Sequence, residues 1–403
     1  MTDAAPTSRS ARTVTIANRE LLSFGGCDYL GLAHHYAVRE AFARAIDRWG
    51  ISVSASRATT GNTAAHDKLE HRLASFTGLE SATLLPEGFL ANIAAMQTLS
   101  LDHDLVVLDA RAHRSLADAA RTAGLAVERY PFRDHRDAAE LAARAPTRAI
   151  IATDSVFAAD ASLAPVAELA AAARDTRSTL LLDDCHALGV LGQRGRGSIE
   201  HFALDPALLA PADLVITSTL AKGIGCYGSF AGGTRAFTGR LRAHASAYIC
   251  TTPVPPAIAD AALAALNVHT CELDRLSALR ANAARLHAIL AEIGLARPRS
   301  GDEADLPVAT FSLTSDSGME DLQRRLAQRH LWVPLIRYPG GPAPRYFRIS
   351  VTAEHTADDL DLLAAALAED YDLVAGEPVL EHLASGDPAA TGDAATRADQ
   401  PAA

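Results

Sequence analysis

The sequence predicts an α/β protein: a mainly parallel sheet flanked by helices, followed by a smaller C-terminal α+β domain. Three observations carry this. From about residue 82 to 231, short β-branched or leucine-rich runs alternate with alanine-rich stretches of helical character, the pattern of βαβ units. A long helical stretch from about 256 to 295 then leads out of that region towards three further strand candidates. A chain of 403 residues, 49% of them hydrophobic, is large enough to bury one extensive core and a second smaller one.

Taken in order, residues 1–18 are rich in Ala, Ser, Thr and Arg without periodicity and are expected to form a mobile arm. An N-terminal segment, 19–50, follows, with an apolar and glycine-rich stretch at 21–32 and a helix from about Val38 to Trp49. The run Gly50-Ile-Ser-Val-Ser-Ala-Ser-Arg-Ala-Thr-Thr-Gly61 is made almost wholly of small residues and reads as irregular chain lying against a ligand or another backbone. A helix is expected from about Thr63 to Thr77. The large α/β domain, 51–255, has strand candidates at 82–85, 105–108, 149–152, 179–182, 214–217 and 229–231, with helices at about 89–99, 113–122, 138–145 and 166–173. A connecting helix spans 256–299. The small domain, 300–375, has strands near 308–313, 333–336 and 347–351, with helices after the first and last. From 376 to 403 the composition turns to Ala, Gly, Asp, Pro and Thr with little to bury, which predicts a disordered tail.

Composition excludes several classes. A net charge of −11 argues against a nucleic-acid-binding surface, although a local arginine cluster can receive an anionic thioester carrier. No stretch approaches a membrane span. The five cysteines, Cys27, Cys185, Cys226, Cys250 and Cys271, are odd in number and lack CxxC spacing, so reduced thiols in a cytoplasm fit better than a disulfide framework or a metal site. The polar N-terminus has no apolar core of a secretory signal, which again points to a cytoplasmic protein.

Against this background one residue stands out. Of 37 basic residues only Lys68 and Lys222 are lysine. Arginine cannot give up its proton near neutral pH or form an imine, whereas a lysine amine does both once burial or neighbouring cations lower its pKa. Lys68 lies in a charged helical run and reads as a surface ammonium. Lys222 follows a β-branched strand and opens the Gly-rich turn Lys-Gly-Ile-Gly-Cys-Tyr-Gly228, where backbone amides can meet an anion. Leu180-Leu-Leu-Asp-Asp-Cys-His186 puts two carboxylates and a histidine directly after a buried strand, at the edge where open α/β sheets bind ligands. Adjacent residues at a strand end face opposite ways, so Asp183 and Asp184 cannot share a role; a helix cap with an exposed neighbour is the plainer alternative. His113 occupies a similar strand-to-helix junction.

These pieces, with others in the same order, resemble the α-oxoamine synthases, pyridoxal-phosphate enzymes of fold type I. The matching stretches are Asp28-Tyr-Leu-Gly-Leu32, Ser56-Arg57 with Thr60-Gly-Asn62 and His66, Glu87-Gly-Phe-Leu-Ala-Asn92, His113-Arg-Ser115, Asp183-Asp-Cys-His186 and Gly192-Gln-Arg-Gly-Arg-Gly-Ser198. Thr219-Leu-Ala-Lys222, Thr251-Thr-Pro-Val-Pro-Pro256 and Arg348-Ile-Ser-Val-Thr-Ala-Glu-His-Thr356 complete the set. The resemblance implies pyridoxal 5'-phosphate as cofactor, held by Lys222 as a Schiff base. It further implies Asp183 on the pyridine nitrogen, His186 on the phenolic oxygen and His113 against the ring face. Gly88, Phe89 and Thr219 would surround the phosphate, with Thr252 supplied by the partner subunit of a homodimer with shared active sites. Arg348 would grip the amino-acid carboxylate, a task suited to a planar bidentate donor; the plain alternative is a surface ion pair.

The resemblance also exposes departures. Cys27 stands where the family carries an Asn near the substrate, and Ile51-Ser-Val-Ser-Ala55 replaces a glycine-rich run. In Asp154-Ser-Val-Phe-Ala-Ala-Asp160, Ala158 lacks the hydroxyl that can contact the cofactor oxygen or the substrate. The implied reaction is a decarboxylative condensation of an α-amino acid with an acyl thioester, on coenzyme A or a carrier protein, giving an α-amino ketone. The departures on the substrate side suggest a specialised member acting in secondary metabolism. Three alternatives stay open: a fold type I aminotransferase, a retro-aldol lyase acting on a β-hydroxy amino acid, and a non-catalytic partner subunit.

Overall fold

The chain is described by a computed structural model covering residues 5–205, 213–338, 341 and 343–380. It opens with three strands, β1 (Ser8–Arg9), β2 (Thr13–Ile16) and β3 (Arg19–Ser23), then α1 (Tyr36–Trp49) and α2 (Ala64–Thr77). The large sheet follows in βα units: β4 (Ser81–Leu85), α3 (Gly88–Leu99), β5 (His103–Asp109), α4 (Arg114–Thr122), β6 (Ala126–Tyr130), α5 (His135–Ala143), β7 (Arg148–Asp154), α6 (Val166–Thr176) and β8 (Thr179–Asp183). The short α7 (Ser198–His201), β9 (Leu214–Thr219) and β10 (Ser229–Gly233) complete it.

The seven strands lie in the order β4-β10-β9-β8-β7-β5-β6. All neighbours pair in parallel except β10, which is antiparallel to both β4 and β9. Apart from the edge strand β6, the sheet is buried on both faces, and alternate residues of its strands go to different cores. Leu180 and Leu182 join one core with Val107 and Ile216, while Leu181 joins the other with Val106 and Val215. That two-sided burial is why the strands read as continuous apolar runs.

Helices α8 (Arg235–His244) and α9 (Ser246–Ile249) join one core of the sheet and α10 (Pro256–Cys271) the other, while α11 (Leu273–Ile293) runs on into the core of the C-terminal region. The expected single helix from 256 is two, because Glu272 leaves helical geometry at φ −111°, ψ 63°. The C-terminal region holds β11 (Val308–Phe311), α12 (Asp316–Gln328), β12 (Leu331–Trp332), β13 (Leu335–Ile336), β14 (Tyr346–Ser350) and α13 (Ala357–Tyr371). Its antiparallel sheet runs β11-β14-β13.

Two further expectations need correction. Residues 13–16, placed in a mobile arm, form β2 and join the sheet β1-β2-β3-β12, where Val14 and Ile16 pack with Leu21. The N-terminal segment is thereby tied to the C-terminal region: the Ser350 amide donates to the Phe24 carbonyl, and Phe24 lies in the same core as Phe347 and Ile349. The edge strand β6 was not expected at all; only Tyr130 of its five residues is buried, so it carries no apolar run. The expected tail lies outside the described residues from 381 onward.

Candidate active site

The polar residues converge at the carboxyl ends of β7, β8 and β9, where register sets them side by side. Asp183 at the end of β8 is opposite Thr217 on β9 and Asp154 on β7. Asp183 is held by two donors, the Cys185 amide at 2.9 Å on Oδ1 and the Asn92 Nδ2 at 2.8 Å on Oδ2. Asn92, on α3, also donates to Ser115 Oγ at 2.8 Å and accepts from Thr217 Oγ1 at 2.6 Å, so its amide is fixed by three partners besides backbone. Asp184 turns the other way, as strand alternation requires, and accepts from the Ser198 amide at 2.9 Å and from the Ser198 hydroxyl. One carboxylate serves the site and its neighbour caps a turn.

Lys222 sits in the turn between β9 and β10. This turn lies against the backbone of residues 188–189: a Cβ on Gly223 would come within 2.2 Å of the Leu188 carbonyl oxygen, so glycine is required there. Lys222 Nζ is 2.7 Å from His186 Nε2, and His186 Nδ1 is 2.8 Å from the Tyr29 hydroxyl. Burial, then the charges of Lys222 and Arg348, push His186 well below the usual histidine range, so the ring is neutral. Burial, with Cys27 next, holds the Tyr29 phenol well above its ordinary value.

His113 caps α4: its Nδ1 accepts from the Ser115 amide at 3.2 Å, and its own amide donates to Asp154 Oδ2 at 2.6 Å. Burial, and after it the Asp183 charge, raises Asp154 well above the usual carboxylate range. Arg348 on β14 anchors through Nε to the Ala158 carbonyl at 3.1 Å. Burial alone would raise the Cys27 thiol, but the charges of Arg348 and Lys222, with hydrogen bonds to Tyr29 and Arg348, outweigh it and leave the thiol below its ordinary value.

Helix α3 begins at Gly88 with no side chain capping it, leaving its first-turn amides open to an anion. Gly88 lies against Thr219 and Cys185, where an added Cβ would be 3.5 Å from Thr219 Cβ and 3.3 Å from Cys185 Sγ. The structure therefore brings together Lys222, His186, Asp183, His113, Arg348, Cys27, Gly88 and Thr219. Phe89 lies beside them, 39% exposed. Thr252 is exposed. Sequence reading missed Tyr29, Asn92, Ser115, Asp154 and Thr217 as site residues, and also Tyr338, whose ring centroid is 6.2 Å from that of His113. Tyr29, Asn92 and Ser115 lie inside stretches already singled out; Tyr338 gives no signal in the sequence.

An amine free to form an imine, a buried carboxylate for a ring nitrogen and an uncapped helix start fit pyridoxal 5'-phosphate. The site defines a pyridoxal-phosphate-dependent transferase of fold type I. Comparison with known proteins takes this further. Residues 19–367 match the family model described as Aminotransferase class I and II. The 8-amino-7-oxononanoate synthase of Methylococcus capsulatus is 39% identical over 88% of this chain and 90% of its own length, and that of Azoarcus sp. 36% over 92% and 91%. Among solved structures, Sphingomonas wittichii serine palmitoyltransferase matches with a TM-score of 0.83 at 24% identity, covering 91% of this chain and 92% of that one. The 8-amino-7-oxononanoate synthase from Francisella tularensis gives 0.74 at 24%, covering 88% and 98%. The chain belongs to the aminotransferase class I and II family and, within it, to the α-oxoamine synthases: it is a pyridoxal-phosphate-dependent acyltransferase.

Proposed function

We propose that the protein condenses an α-amino acid with an acyl thioester, releasing carbon dioxide and free thiol and forming an α-amino ketone. The observation that carries this is the meeting of Lys222, His186 and Asp183 at one sheet edge with Arg348 reaching in from β14. Bound here, the cofactor supplies an electron sink for the pair left at Cα. Lys222 holds the cofactor at rest and, once freed, moves the Cα proton. His186, kept neutral, directs the Lys222 amine and would meet the cofactor's phenolic oxygen. Asp183 would balance the pyridine nitrogen, with Asn92 fixing its carboxylate. His113 would cover the ring, and the α3 start at Gly88 and Phe89, with Thr219, would hold the phosphate. Arg348 orients the amino-acid carboxylate.

The acyl group arrives on coenzyme A or a carrier protein. The active species is a homodimer in which Thr252, exposed in one subunit, completes the phosphate site of the other. A cytoplasmic location is supported by the cysteines, which are all free. Among the described residues no metal-binding cluster occurs and no helix is long and apolar enough to cross a membrane.

The finer reading is a specialised member acting in secondary metabolism, supported by Cys27 beside Arg348 and by Ala158, both on the substrate side. A second reading, that the product is 8-amino-7-oxononanoate itself, is favoured by the 39% identity to an enzyme of that name. That nine-carbon product dissects into a two-carbon methyl-bearing fragment of alanine and a seven-carbon dicarboxylic acyl group. Mass spectrometry of products from amino acids crossed with acyl thioesters separates the two. Release of thiol and carbon dioxide together supports the condensation; formation of a keto acid from amino acid alone, with no thiol, makes the enzyme an aminotransferase instead.

A further inference from the structure

Strand β14 lies between β11 and β13, so its side chains alternate between two faces. Phe347 and Ile349 enter the apolar core of the C-terminal region. Tyr346, Arg348 and Ser350 therefore share the other face. Ser350 Oγ donates to the Gly26 carbonyl at 2.8 Å, next to Cys27, and Arg348 Nε donates to the Ala158 carbonyl at 3.1 Å. The row thus faces the active site along its length.

Tyr346 ends this row and breaks its pattern. The residue is 0% exposed, yet its hydroxyl has no hydrogen-bond partner among the described residues. Gly341 closes over the ring, since a Cβ there would come within 2.2 Å of Tyr346 Cε1. The charged and titratable groups acting on the phenol are Arg348, Asp160, Tyr338 and Arg111. Asp160 does not satisfy it, being committed to Arg111 at 2.6 Å and to the Ser162 amide and hydroxyl. Burial raises the phenol to about 12, so near neutral pH it is a donor. An unmade buried donor is costly, which implies a partner that arrives with a ligand.

The neighbouring Arg348 says what that partner is. Its Nε is spent on Ala158 and its guanidinium also meets the Tyr29 hydroxyl and the Cys27 thiol, so a carboxylate bound there has more lone pairs than this one guanidinium supplies. The Cys27 thiol, drawn towards its anion by Arg348 and Lys222, is a poor donor. We propose that the Tyr346 hydroxyl is a second donor to the amino-acid carboxylate at Arg348 and so a specificity-determining residue for the amino acid. This rests on the reading of Arg348 as the carboxylate-binding residue.

The test titrates the holoenzyme with an amino acid that it turns over, following the absorbance of the bound cofactor, and repeats the titration with the corresponding amine that lacks the carboxylate. Tyr346→Phe is expected to weaken the amino acid about tenfold, the loss of one hydrogen bond to a charged group. Affinity for the amine, affinity for the cofactor and KM for the thioester should be unchanged, and Tm should not fall. If Tyr346→Phe binds the amino acid as tightly as the wild type while Arg348→Ala binds it weakly, the hydroxyl is idle and the inference fails alone. Equal weakening towards amino acid and amine also overturns it. If Arg348→Ala leaves amino-acid affinity unchanged, the reading of Arg348 fails and takes this inference with it.

Discussion

Lys222 Nζ lies 2.7 Å from His186 Nε2, a contact between the turn after β9 and the end of β8. The ring cannot hold a positive charge, because burial and the nearby Lys222 and Arg348 cations all oppose it. It therefore offers the lysine a neutral partner. Reduction of the holoenzyme with borohydride should fix the cofactor on Lys222, and peptide mapping that finds the label on Lys68 would remove Lys222 from its role. Lys222→Ala should still bind cofactor weakly while losing turnover.

Asn92 ties Asp183, Ser115 and Thr217 together. Asn92→Ala leaves Thr217 without its acceptor and Asp183 with one donor fewer. Buried groups stranded in this way cost about 1–3 kcal/mol. We expect a lower Tm and cofactor affinity reduced roughly tenfold or more. Unchanged cofactor binding, measured by equilibrium dialysis, would show that the Cys185 amide alone suffices to set Asp183.

The shared-site homodimer predicts complementation. Lys222→Ala and a Thr252 variant damage different sites if Thr252 reaches across, so mixing the two inactive proteins should restore part of the activity through hybrid dimers. Subunit exchange verified by mass, with no recovered activity, would place Thr252 outside the partner's site.

His287 is buried, its Nε2 3.0 Å from the Leu306 carbonyl, and burial followed by the Arg299 charge pushes it down to about 4. The unfolded chain binds this proton near 6.5 and the folded chain near 4, so the unfolded state holds more protons between those values and stability falls as pH drops through that window. From pH 7 to pH 5 the group alone removes about 2 kcal/mol. His287→Gln, compared with the wild type by urea unfolding at both pH values, should show a smaller loss on acidification; an equal loss would mean that His287 is protonated while folded.

The sequence by itself determined most of the large sheet and brought Asp183, His186 and Lys222 to notice. Strands buried on both faces must be apolar throughout, so β5, β7, β8 and β9 announce themselves, and Asp183, His186 and Lys222 are legible because polar residues stand out directly after such strands, at the edge where open sheets bind ligands. The tertiary structure decided what depends on partners remote in the chain. Strand β6 borders the sheet with most of its side chains exposed, and β2 is made a strand only by pairing with β3, which pairs in turn with β12 more than 300 residues away. Asn92 meets Asp183 across 91 residues, and Tyr346 becomes a buried donor without a partner among the described residues only because β14 turns it away from the apolar core and Gly341 closes over it. Local composition fixes which residues are able to form a strand or donate a proton, whereas hydrogen-bond partnership and burial are properties of the assembled chain, since both depend on atoms that only folding brings within reach.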